Sequence, residues 1–189
     1  MARMGIDEEG EGLEKMMCLI RRVPDWPRQG VTFVDASGVW VDPVAWGRVV
    51  SWLVSLMDDE IEVVAGLDAR GFLLAGAAAA VTCKGVLAVR KSGKLPPEND
   101  VGYGLLRERF VLEYGSAEWE VNTRDVRPFM RVLVVDDLMA TGGSMAAACA
   151  LLQRAGAEVV RCAAMIELVH LAGRDRLSSS IEFQSLLQL

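Results

Sequence analysis

A chain of 189 residues, 52% apolar and 24% charged, is long enough to close one hydrophobic core and has the composition of a folded globular protein. Its formal net charge of −6 argues against broad contact with nucleic acid, and its richest apolar run, "GFLLAGAAAAVTC", is too short to span a membrane. The four cysteines Cys18, Cys83, Cys149 and Cys162 form no C-x-x-C pair, which argues against a zinc site or a disulfide framework; with no basic and apolar leader at the start, the cytoplasm is the expected compartment.

In chain order, residues 1–12, "MARMGIDEEGEG", read as a flexible acidic arm, and residues 13–189 as a single domain. "GLEKMMCLIRRV" carries a helical apolar pattern that ends before Pro24 and Pro27. Asp42 followed by Pro43 predicts a capped helix start, with Trp46, Val49, Val50, Leu53 and Met57 on its apolar face. "IEVVAGL", "DARG", "FLLAGAAAAVTC" and "GVLAVR" then read as strand, loop, helix and strand. The aperiodic segment that follows, "KSGKLPPENDVGYGLLRER", reads as a long loop, and loops of such length are usually lids or otherwise functional. "FVLEYG" and "AEWEVN" predict an antiparallel hairpin. "RVLVVDD", the helix around "SMAAACALLQRAG" and "EVVRCAAMIEL" make a second βαβ unit, and "EFQSLLQ" a closing strand. Strands that alternate with helices imply a mostly parallel sheet covered on both faces.

The stretch "VLVVDDLMATGGSMAAA" is the most informative. In an α/β sheet, ligands collect beyond the carboxyl ends of strands, where the next helix presents unpaired N–H groups. Gly142 and Gly143 let the main chain approach an anion, while Thr141 and Ser144 add hydroxyl donors, so a phosphate fits there. Asp136 and Asp137 would repel that phosphate if aimed at it, and so face either neutral hydroxyls or a hydrated divalent cation nearby. A sugar phosphate offers both kinds of partner. Neither the G-K-[ST] ending of a P-loop nor the G-x-G-x-x-G of a dinucleotide site is present. The basic run "RKSGK", Arg90 to Lys94, is either a solvated turn or a second anion contact. His170, the only histidine, has no nucleophile elbow to serve and reads as structural.

This order of strand, paired acids, small loop and helix resembles the phosphoribosyl pyrophosphate motif of the type I phosphoribosyltransferases. "PDWPRQGVTFVDAS", "AGLDARGFLLAG", "VRKSGKLP" and "LEYGSAEWEV", in that order, narrow the resemblance to their adenine-specific branch. The resemblance implies a type I phosphoribosyltransferase fold: a mostly parallel sheet flanked by helices, a small N-terminal hood at about residues 20–40, and a long flexible lid loop at about residues 92–110. It implies transfer of ribose 5-phosphate from phosphoribosyl pyrophosphate to adenine, with AMP and pyrophosphate as products and Mg2+ as the metal, carried by the substrate and reaching Asp136 or Asp137 through water. Ala140, Thr141, Gly142, Gly143 and Ser144 would hold the 5-phosphate, and Asp136 and Asp137 the ribose hydroxyls. Asp68, Ala69, Arg70, Arg90, Lys91 and Lys94 would meet the pyrophosphate, with a cis peptide between Asp68 and Ala69 as the form often found in the family. Glu113 would assist proton movement on the base and Arg70 the departure of pyrophosphate. Thr32, Phe33 and Val34 would receive adenine, Phe33 by stacking and Val34 through its main chain. Nucleic acid and membrane are not expected partners, and a homodimer is.

The chain departs from the family pattern at three places: Val34 stands where many relatives carry a basic residue, the lid segment is longer, and Arg109 and Phe110 replace a Ser-Tyr pair. These changes touch the base side and lid closure and leave the sugar-phosphate motif whole. Two other readings use the same motif: a regulator that binds phosphoribosyl pyrophosphate without catalysis, and a transferase for another purine.

Overall fold

A computed structural model describes residues 6–97, 104–112 and 115–189. The chain divides into two compact units, one up to Ser51 and one from Trp52 onward.

The first unit opens with α1 (Ile6–Cys18), which begins inside the acidic stretch read as an arm. It stops at Cys18, earlier than its apolar pattern suggests. Arg21–Val23 instead forms β1 and pairs antiparallel with β2 (Phe33–Asp35), with Arg21 opposite Asp35 and ion-paired to it at 2.8 Å. A pairing partner fourteen residues away in the chain overrides the local helical periodicity. Between the strands Trp26 meets Phe33 edge to face at 4.5 Å, and the Trp26–Pro27 bond is cis. A short helix, α2 (Ser37–Val41), precedes α3 (Pro43–Ser55). The carboxylate of Asp42 accepts the N–H groups of Val44 at 3.0 Å and Ala45 at 2.8 Å, the N-cap that the Asp-Pro pair predicts.

The second unit is a seven-stranded sheet in the order β5-β6-β4-β3-β7-β8-β9. β3 (Val63–Leu67), α4 (Gly71–Thr82) and β4 (Gly85–Lys91) form one parallel βαβ unit. β7 (Arg131–Met139), α5 (Gly143–Arg154) and β8 (Glu158–Glu167) form the other, and β9 (Glu182–Gln188) adds a further parallel strand. β3, β7 and β8 are runs of buried Val, Leu, Ala and Ile because both sheet faces are covered. β5 (Leu105–Leu112) and β6 (Gly115–Asn122) make the antiparallel hairpin, and β6 joins it to β4.

Two boundaries differ from the sequence reading. Leu105–Arg109, read there as the end of the long loop, belongs to β5, so the connection after β4 spans residues 92–104, of which 98–103 lie outside the described residues. The charges that made this segment look like a loop are matched by neighbours: Arg107 bonds Glu120, and Glu108 pairs with Arg154. Likewise β7 does not end on its acids but continues through Leu138 and Met139, which pair with Ile166 and Glu167 of β8.

From β3 the chain moves outward to β4, then returns to place β7 on the other side of β3. The loops leaving β3 and β7 therefore emerge side by side at the carboxyl edge where strand order reverses, the place at which open α/β sheets bind their ligands.

Candidate functional site at the carboxyl edge of the sheet

The chain leaves β3 through Asp68, Ala69 and Arg70, and the Asp68–Ala69 peptide is cis. Asp68 clips this loop to the end of β4. Its N–H donates to the Val89 carbonyl at 3.0 Å, and its Oδ2 accepts from Arg90 Nε at 3.1 Å and the Lys91 N–H at 3.4 Å. The Arg90 guanidinium also lies over the Phe72 ring, 5.6 Å from its centroid. A residue read as a pyrophosphate contact thus holds the cation beside it.

Arg70, next in the loop, reaches β7, where its Nη1 lies 2.9 Å from Asp137 Oδ2. Asp137 is buried, and among the described residues that oxygen has no aligned hydrogen-bond donor, Arg70 meeting it as an ion pair. The Asp137 N–H donates to Asp136 Oδ1 at 2.9 Å. Burial and the neighbouring charge of Asp137 push the Asp136 carboxyl well above its usual range, and burial raises Asp137 as well, against the opposing pull of Arg70. Two acids crowded in this way call for hydroxyl donors or cations from a ligand.

Beyond Met139 the loop Ala140–Ser144 turns into α5. Gly142 sits at φ +79°, and its carbonyl accepts the Ala146 N–H at 2.9 Å. The N-cap residue is Gly142, which has no side chain to cap the helix, so the first N–H groups of α5 favour an anion there. Behind the loop lies Gly173, in the short turn Gly173–Arg176. A Cβ on Gly142 would stand 2.0 Å from the Gly173 carbonyl oxygen. From the hairpin, Trp119 Nε1 donates to the Ser144 carbonyl at 2.8 Å.

The structure therefore brings together Asp68, Ala69, Arg70 and Arg90 on one side and Asp136, Asp137 and Ala140–Ser144 on the other, with Arg70–Asp137 as the link. Lys91 and Lys94 stand exposed at the end of β4 and in the turn after it. Glu113 and Tyr114 lie outside the described residues. Thr32, Phe33 and Val34 belong to the first unit, where Thr32 is exposed, Phe33 half-buried and Val34 buried, its main chain in register with Arg22. Sequence reasoning missed Gly173, Trp119 and Glu120. Each acts on a motif residue distant in the chain, and no local pattern announces such a contact.

The donor set also bears on Mg2+. Two adjacent carboxylates, one of them buried beside Arg70, offer oxygen ligands of the kind a hard cation that keeps waters takes. No cluster of three or more His, Cys, Asp or Glu side chains that could hold a metal occurs among the described residues. No helix among the described residues is long and apolar enough to cross a membrane.

A helix N-terminus open to an anion, paired acids beside it, and Arg70 and Arg90 from the loop after β3 and from β4 make a site with the chemistry for a ligand that carries both anionic groups and hydroxyls. The comparisons make this specific: residues 45–181 match the model of the phosphoribosyl transferase domain, and the chain belongs to that family. It is 46% identical over 162 residues to an adenine phosphoribosyltransferase of Bordetella avium, covering 85% of this chain and 86% of the relative. Among solved structures, the adenine phosphoribosyltransferase of Rhodothermus marinus superimposes with a TM-score of 0.86 at 39% identity, covering 95% of this chain and 99% of the other. That of Saccharomyces cerevisiae, complexed with an imino-altritol bisphosphate and adenine, gives 0.82 at 27% identity, with 94% and 99% covered.

Proposed function

We propose that the protein is a purine salvage enzyme that transfers ribose 5-phosphate from phosphoribosyl pyrophosphate to adenine, forming AMP and pyrophosphate. The observation that carries this reading is the crowded pair Asp136 and Asp137, the latter buried with Arg70 at 2.9 Å, set beside the start of α5 at Gly142: a place for sugar hydroxyls next to a place for their phosphate.

The N–H groups and hydroxyls of Ala140–Ser144 hold the 5-phosphate, and Asp136 and Asp137 hold the ribose hydroxyls. The bond from the sugar C1 to the pyrophosphate oxygen breaks, and both electrons leave with pyrophosphate. Arg70, Arg90, Lys91 and Lys94 meet that charge. The two acids stabilise the cationic sugar, the purine imidazole nitrogen bonds to C1, and the proton that nitrogen carried passes to the Glu113 carboxylate. Phe33 stacks on the base, Val34 reads its edge through the main chain, and Thr32 adjoins them. Bound Mg2+ would neutralise pyrophosphate oxygens, with Asp136 or Asp137 reached through water.

A homodimer is supported by α4, whose twelve residues include no charge and yet leave Leu73 and Val81 exposed. The four free cysteines support a reducing, cytoplasmic setting.

The test is to incubate the protein with phosphoribosyl pyrophosphate and magnesium and with adenine, hypoxanthine, guanine or xanthine in turn, and to follow nucleotide formation. AMP alone is expected. Glu113→Gln should lower kcat by about a hundredfold, within the range of a general base, with little change in phosphoribosyl pyrophosphate affinity. Tight binding without product from any base would instead identify a regulator, and another nucleotide a different purine specificity.

A further inference from the structure

The turn after β4 is assembled around one acid. Glu120, on β6, is 0% exposed, and it stands in register with Arg90 on β4 and Arg107 on β5. Its Oε1 accepts the Gly93 N–H at 3.0 Å and Arg107 Nε at 2.9 Å, and its Oε2 accepts the N–H groups of Lys94 and Leu95, each at 3.3 Å. The Ser92 hydroxyl lies 3.3 Å from the same Oε1 and 2.9 Å from Glu118 Oε2, and the Ser92 N–H donates to the Glu118 carbonyl at 2.9 Å.

Three successive backbone N–H groups that converge on one anion form a nest, the concavity that in other settings receives a phosphate. Gly93, at φ +81°, supplies the left-handed residue the curve needs. Here the nest is already filled by a carboxylate of the same chain. Its main-chain donors point inward and are spent, so this turn can meet an external anion only through side chains, those of Lys91 and Lys94 being exposed.

Burying a carboxylate is unfavourable unless its oxygens are hydrogen-bonded. Burial alone would raise the Glu120 pKa, but the N–H of Gly93, the Arg107 guanidinium and the N–H of Leu95 outweigh it and hold the acid below its ordinary value. Glu120 is therefore ionised at neutral pH, and charge-assisted bonds hold the turn. A turn fixed before the ligand arrives spares the ordering entropy that a free basic loop would lose on binding.

We propose that Glu120 is a positioning residue for the pyrophosphate end of phosphoribosyl pyrophosphate: by filling the Gly93–Leu95 nest it fixes the chain path from Arg90 to Lys94, and with it the directions from which those cations meet the leaving group. This rests on the reading of Arg90, Lys91 and Lys94 as the pyrophosphate contacts.

The experiment compares the full-length wild type with Glu120→Gln, Glu120→Asp, Gly93→Ala and Lys94→Ala, by calorimetric titration with pyrophosphate and with AMP and by steady-state kinetics. Glu120→Gln turns an amide toward N–H donors. It should raise the phosphoribosyl pyrophosphate KM and the pyrophosphate Kd by about tenfold, with kcat within about threefold and AMP affinity unchanged. Glu120→Asp, which keeps the charge on a shorter arm, should recover part of the loss. Gly93→Ala leaves the carboxylate in place and meets no heavy atom within 4 Å, but strains the left-handed residue, and should shift the same two constants in the same direction. If Glu120→Gln does not fold, Gly93→Ala decides. Lys94→Ala tests the underlying reading: pyrophosphate binding unaffected there would remove the cluster from the site. Weakened binding in Lys94→Ala, with wild-type constants in folded Glu120→Gln and Gly93→Ala, would overturn the positioning role alone. So would an equal fall in kcat and AMP affinity.

Discussion

Gly142 and Gly173 are separated by thirty residues of chain, yet each occupies space that the other's main chain leaves open. A Cβ on Gly173 would stand 2.1 Å from the Ala140 carbonyl oxygen, and one on Gly142 would meet the Gly173 carbonyl. The phosphate loop therefore has a fixed floor. Gly142 was visible in the sequence because its neighbours spell out a strand, two acids and a helix start. Gly173 sits in "LAGRD", where nothing marks it as facing a site, and only the packing of two main chains reveals it. Gly173→Ala is accordingly expected to push the Ala140–Ser144 loop outward and to raise the phosphoribosyl pyrophosphate KM roughly five- to a hundredfold, the equivalent of about 1–3 kcal/mol of overpacking. Steady-state kinetics check this, and an unchanged KM would show that the loop does not lean on its floor.

Among the elements, the β5–β6 hairpin is fastened to both ends of α5. Trp119 bonds the Ser144 carbonyl in the first turn, and near the last turn Arg154 donates to the Arg107 carbonyl at 3.1 Å and pairs with Glu108. Trp119 is buried and stacks on Phe110 with ring centroids 5.2 Å apart. The resemblance alone marked Phe110 as a departure from the family; the fold makes it the platform for that indole. The two βαβ units were legible because buried parallel strands are apolar throughout and because glycine and acid-rich loops punctuate them. The full length of β5 was not, since Arg107, Glu108 and Arg109 look like loop until their partners on β6 and α5 are known. Trp119→Phe keeps the stack and removes one hydrogen bond, worth about 1 kcal/mol, and should lower the Tm by roughly 2–4 °C. Trp119→Ala removes the packing as well and should cost about 3–5 kcal/mol. Thermal and urea unfolding of the two variants separate the indole's hydrogen bond from its bulk.

At the scale of the whole molecule, the second unit is braced by two buried carboxylates, Glu120 on β6 and Glu167 at the end of β8. Glu167 accepts Arg174 Nε at 2.7 Å, Arg174 Nη2 at 2.5 Å and the Ser185 hydroxyl at 2.8 Å, so it ties β9 and the turn bearing Gly173 to the end of β8. Hydrogen bonds from Arg174 hold Glu167 below the ordinary glutamate value of 4.5, despite its burial. Both acids release their protons more readily in the folded chain than in the unfolded one. The stability they contribute is therefore complete above about pH 4.5 and is lost as the pH falls through their lower native values. Asp136 has the opposite sign: its raised pKa gives stability that is complete below its ordinary value of 3.8 and is lost as the pH rises through its native value. The acid flank of the stability curve thus belongs to the acids of lowered pKa, Glu120 and Glu167 together with the more exposed Asp35, Glu62 and Glu182. The urea midpoint should fall as the pH drops below about 4.5, and the gap between wild type and Glu167→Gln should be widest at neutral pH and narrow as the pH falls below 4.5 and through the lowered value of the native acid. A gap of constant width across that range would mean that Glu167 stabilises by its shape and not by its charge, and that the tie to Gly173 does not depend on the ionised pair.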